Sequence, residues 1–141
     1  MLLPLNLLTS VTIIEASASA LVLNSGFNGT WVELVGGVAT KPTAGNMAFP
    51  IWSESNRDKT QGFSPDVAAV GQVSVIYGKL RAVTDQYVGT PAPGDKLYVD
   101  ANGQLTTTSA GAGVAVAVCT KAPFAERRLN VPFTLIEFVT A

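Results

Sequence analysis

Apolar and polar positions are most clearly patterned between Gly78 and Val118. Lys79-Leu80-Arg81-Ala82-Val83 reads as a strand, Pro91-Ala92-Pro93-Gly94-Asp95 as a corner, and Lys96-Leu97-Tyr98-Val99-Asp100 as the next strand. Asn102-Gly103 predicts a type I′ hairpin turn, because both central residues of that turn need positive φ and this pair adopts it at little cost. Gln104 to Thr108 continues as a strand, and Gly111-Ala112-Gly113 reads as a turn. Beyond it Val114, Val116 and Val118 line one face, and Ala115, Ala117 and Cys119 the other. Apolar residues on both faces predict a central strand closely approached by another layer. Leu129, Val131, Phe133 and Leu135 then form a one-face set ending in Glu137, which predicts a closing strand.

The first half is less regular. The β-branched run Val11-Thr12-Ile13-Ile14 favours a strand. Residues 1–25 read either as an ordinary first strand or as an apolar arm reaching a neighbouring subunit, and residues 26–141 as a β-barrel domain. Thr30 to Val35 predicts a strand ended by Gly36-Gly37, and Lys41 to Asn46 a loop. Met47 to Trp52 is apolar but contains Pro50, which lacks an amide donor, so this strand should be short or lie at an edge. Ser53 to Asp66 is the most polar stretch and reads as a surface loop; Val67 to Tyr77 returns to a β pattern. The expected fold class is all-β: a small antiparallel β-barrel or β-sandwich with an extended N-terminal arm.

Composition sharpens this picture at the surface. Charged residues make up 13% of the 141 positions while 48% are hydrophobic, against a usual charged share of about 25%. Permanent assembly interfaces are apolar and poor in charge, so an oligomer or assembly component is expected. A net charge of −1 argues against nucleic-acid binding. Thr9, Ser10, Thr12 and Glu15 interrupt the apolar N-terminal stretch, which argues against a membrane span. Ala16-Ser17-Ala18 and Ala18-Ser19-Ala20 match a leader-cleavage pattern, but no basic segment precedes them, so a cleaved leader is not expected. The lone Cys119 allows no intrachain disulfide.

Candidate chemistry is sparse. The chain has no histidine, and neither Ser-x-x-Lys nor Gly-x-Ser-x-Gly occurs, so an activated nucleophile lacks its partner. Cys119 lies in an apolar strand, where a thiol is a small core residue. Glu54 and Asp58 sit in the polar loop and read as solubilising charges. Asp95 and Asp100 lie beside Gly and Asn and read as turn-shaping residues rather than ion ligands. No enzyme activity, cofactor or metal is expected. The candidate interface residues are Leu2, Leu3, Leu5, Leu7 and Leu8 of the apolar N-terminus, Trp52 beside the polar loop, and Arg127 and Arg128, the one adjacent basic pair.

Three runs occur in order: Pro-Gly-Asp-Lys-Leu-Tyr-Val-Asp (93–100), Asn-Gly-Gln-Leu-Thr (102–106) and Ala-Gly-Val-Ala-Val-Ala (112–117). With the final strand, this progression resembles the capsid decoration (cement, or head-stabilising) proteins of tailed bacteriophages. The resemblance spans roughly Val73 to Val139, half of the chain. It implies a small β-barrel, a homotrimer, and the major capsid protein as partner. It also implies a place on the outer surface of the virion's capsid, where such proteins bridge neighbouring capsid subunits and stabilise the shell. It carries no catalytic residues, and implies neither nucleic acid nor membrane as partner. A head-fibre, tail or baseplate component, or a carbohydrate-binding adhesin module, are the alternatives.

Overall fold

The computed structural model describes residues 2–7, 12–18, 29–51, 72–125 and 134–141. These form β1 (Leu2–Leu7), β2 (Thr12–Ala18), β3 (Trp31–Val35), β4 (Val38–Thr40), β5 (Phe49–Pro50), β6 (Gln72–Tyr77), β7 (Leu80–Thr84), β8 (Lys96–Val99), β9 (Leu105–Thr106), β10 (Ala117–Ala125) and β11 (Thr134–Thr140). There is no helix among the described residues, and the fold is all-β.

The strands form two sheets. One has six strands in the order β1-β7-β11-β10-β8-β9, and the other has five in the order β5-β3-β4-β2-β6. The six-stranded sheet is antiparallel throughout. The five-stranded sheet contains one parallel pair, β2 with β4. An antiparallel bridge between Ile51 and Val75 links the β5 edge to β6, so this sheet curls until its edges meet. Phe49 and Tyr77 meet edge to face across that seam with ring centroids 4.4 Å apart.

Alternation along β3 and β6 explains how the sheets pack. Val32, Val73 and Val75 join Ala39 and Ile51 in a cluster belonging to the curled sheet. Their neighbours Trp31 and Ile76 belong instead to a larger cluster with Leu80, Leu97, Leu105, Ile136 and Phe138 of the six-stranded sheet. Both strands are therefore apolar on both faces, and Trp31 lies 5.8 Å from Phe138, centroid to centroid.

The turns follow local chemistry. Gly36 and Gly37, at φ of 58° and 82°, form the two-residue turn joining β3 to β4, with Val35 opposite Val38. Ala92-Pro93-Gly94-Asp95 closes with a 3.0 Å bond from the Asp95 amide to the Ala92 carbonyl. Proline second and a positive-φ glycine third (φ 94°) suit a type II turn.

The Asn102-Gly103 hairpin differs from its sequence expectation. The turn spans Asp100 to Gly103, closed by a 3.1 Å bond from the Gly103 amide to the Asp100 carbonyl. Asn102 and Gly103 are thus its third and fourth residues rather than the central pair of a type I′ turn. Gly103, at φ 77°, is the positive-φ residue that follows a tight turn in the longer hairpin class. β10 also departs from expectation. It starts at Ala117 and runs to Ala125, with register breaks after Cys119 and Lys121. It does lie centrally, between β11 and β8, as its two apolar faces predicted, and β11, the expected closing strand, lies between β7 and β10.

Candidate functional site

Most polar side chains that the structure places with named partners hold the scaffold together. Asp95 Oδ2 accepts the Ala92 amide at 2.8 Å, and Asp100 Oδ1 accepts the amides of Asn102 at 2.8 Å and Gln104 at 2.9 Å. Both carboxylates are therefore committed to turns. Glu33 does similar work on the 41–46 loop, accepting the Thr43 amide and the Asn46 side-chain amide at 3.0 Å each. That loop is locked from below, where the Gly45 amide donates to the Val99 carbonyl and the Val114 amide to the Gly45 carbonyl.

One charged cluster crosses the centre of the six-stranded sheet. Arg81 on β7 donates to Glu137 on β11 through Nε at 2.7 Å and Nη2 at 3.0 Å, and the Thr120 hydroxyl on β10 donates to Glu137 Oε1 at 2.8 Å. Val83 opposite Glu137 and Arg81 opposite Val139 set the β7–β11 register that brings the pair into reach. The Arg81 hydrogen bonds hold the Glu137 carboxyl below the usual carboxylate range, against the opposing pull of burial. Lys121 lies close by, its Nζ 4.0 Å from the Phe124 ring centroid. A depressed, fully hydrogen-bonded carboxylate is a poor proton acceptor, so this cluster suits structure rather than acid–base chemistry.

Cys119 is buried and its thiol donates to the Lys121 carbonyl at 3.4 Å. Burial pushes the thiol's pKa up, with Asp95 and Glu137 adding to the rise, so the reactive thiolate is disfavoured. Among the described residues no group of three or more His, Cys, Asp or Glu converges as a metal site would.

The interface candidates fall in different places. Leu2 is 2% exposed and packs in the core between the sheets, which leaves it no surface to offer a partner. Leu3 and Leu7 lie on β1 opposite Val83 and Leu80, and Leu5 lies at the register break between Pro4 and Asn6. β1 is an edge strand of the chain's own sheet, and β2 pairs with β6, so residues 2–7 and 12–18 contribute one strand to each sheet. Leu8, Trp52, Arg127, Arg128 and the 53–66 loop lie outside the described residues. Exposed large apolar side chains occur at Val35, on the glycine hairpin, and at Met47 and Val88.

Sequence reasoning also passed over a cleft of about 160 Å³ where the two sheets meet. Its lining comes from β3, from β5 and the two residues before it, from β6 and the Gly78–Lys79 link to β7, from Val116 ahead of β10, and from the end of β11, so no single stretch of sequence announces it. No protein-family model matches the chain, and no curated protein or solved structure matches it either.

Proposed function

We propose that this chain is a structural protein of a tailed-bacteriophage virion, seated on the outer surface of the icosahedral head, where it bridges major capsid subunits and stabilises the shell. The observation that supports this reading best is the 93–118 stretch, on which the family resemblance rests. It folds as a corner, a hairpin and the entry to the central strand β10, and its aspartates are engaged in turns rather than in a reactive cluster. A rigid β scaffold of this kind acts by contact. The low charge content fits a surface covered by other protein.

A homotrimer suits the role. Apolar burial is worth about 25 cal/mol per Å², so each subunit's contact with the shell can be modest. Three linked contacts raise the effective affinity well beyond one. Leu3, Leu5, Leu7, Leu8, Trp52, Arg127 and Arg128 are the proposed contact residues; Leu2 supports the fold instead.

The reading is tested by comparing heads that carry the chain with heads that lack it. Both are heated stepwise and released DNA is measured. Heads carrying the chain should hold their DNA to a higher temperature. Identical release curves would contradict a stabilising role.

A further inference from the structure

Side chains alternate between the two faces of a sheet. Ala82, Leu97, Ala117 and Phe138, one each from β7, β8, β10 and β11, belong to the core between the sheets. Their sequence neighbours Arg81, Lys96, Val118 and Val139 therefore face the other way. The register lines these four up: Arg81 stands opposite Val139, Val139 opposite Val118, and Val118 opposite Lys96. A row across four neighbouring strands thus reads cation, valine, valine, cation. Both valines are half-buried, the Arg81 side chain is 44% exposed, and Lys96 is exposed.

The charges around the row are unbalanced. Glu137 is bonded to Arg81, and Lys121 lies opposite Glu137 in register. Two cations against one carboxylate leave one positive charge on that side of the valines, and Lys96 adds another across from it. Asp85 and Asp95 lie at strand ends, accepting the Gln86 side-chain amide and the Ala92 amide. Lys79 lies ahead of β7, on the cleft.

We propose that this face docks an extended segment of another protein, laid across the strands, with acidic side chains at its first and fifth positions and an apolar one at its third. Spacing selects the pattern. Three inter-strand gaps of about 4.8 Å put Arg81 and Lys96 roughly 14 Å apart, and four extended residues of about 3.4 Å each span nearly the same length. Alternate side chains share a face, so the third residue covers Val118 and Val139 while the first and fifth reach the cations. Charge complementarity selects carboxylates. The small number of cations selects a protein, since anionic membranes draw on clusters of roughly 4–8 Lys and Arg and nucleic acids gain affinity with each phosphate neutralised. The inference does not rest on the virion role, and neither stands or falls with the other.

The probe is a terminally blocked peptide with glutamate, isoleucine and glutamate at alternate positions and threonines between them. Its match carries glutamine in place of both glutamates. Backbone amide resonances of the ¹⁵N-labelled full chain report binding. The acidic peptide should move those of Arg81, Val139, Val118 and Lys96 saturably, and should bind more weakly as salt is raised. Lys96→Glu should weaken the peptide at least about ten-fold, with the β fold intact by circular dichroism. Lys41→Glu, the same charge change on the loop after β4, should leave binding unchanged. Four results would each overturn the proposal: no saturable movement, equal movement with the glutamine peptide, equal weakening by Lys41→Glu, or tighter binding of single-stranded DNA or phosphatidylserine vesicles than of the peptide.

Discussion

Glu137 shows how one side chain joins three strands. Its carboxylate receives Arg81 from β7 and Thr120 from β10 while its own backbone lies on β11. Its folded pKa is depressed, so its contribution to stability is present above the unfolded value, near 4.3, and is lost as pH falls through the lower folded value. Glu137→Gln should therefore melt at a lower temperature than the parent at neutral pH. The gap should narrow as the buffer is taken below about pH 4. A gap that stays constant into strong acid would mean that the charge contributes nothing. Gly45 makes a different kind of point. At φ 82° a Cβ there would stand 1.5 Å from the Ala110 carbonyl oxygen, whereas one on Gly36 would meet nothing within 4 Å. Gly45→Ala should cost at least about 2 kcal/mol, and Gly36→Ala about 1 kcal/mol, backbone strain alone. Chemical denaturation of the two variants compares them directly, and equal losses would remove the loop docking from the account.

At the level of elements, β1 is the informative strand. It covers the β7 edge of the six-stranded sheet and carries Leu2 into the core. Leu2→Ala should lower unfolding free energy by about 2–5 kcal/mol, the usual range for a buried leucine. An unchanged denaturation midpoint would show that Leu2 is not a core residue. The sequence patterns for β3, β6, β7, β8 and β9 were legible because alternation and turn residues bound each strand within a few positions. Glycine at 36 and 37 marked the end of β3 but not the hairpin to β4, since a short strand of Val-Ala-Thr has too few positions to show a period. The central place of β11 was also hidden. Its alternation is the same at an edge as between two neighbours, and only long-range pairing with β7 decides it. The Arg81–Glu137 pair, 56 residues apart, leaves no local trace for the same reason.

For the whole molecule, the two clusters of buried residues show what the sheets do for each other. The curled sheet encloses a small core of its own, and its outer face, through Trp31 and Ile76, completes the core of the larger sheet. Glycine and proline corners, aspartate-capped turns and a central ion pair tie the described loops and strands together, as the proposed clamp between capsid subunits would need. The chain's composition indicated a covered surface, but composition carries no coordinates, and the residues proposed to touch the shell come from its apolar N-terminus and its basic pair. The most direct test is an icosahedral reconstruction of purified virions by electron cryo-microscopy, with the copy number per particle counted by mass spectrometry. The account predicts density for this chain on the outer surface of the head, clustered in threes between major capsid subunits and present at every equivalent position. A head bare of it, or density confined to the tail, would contradict the proposed role.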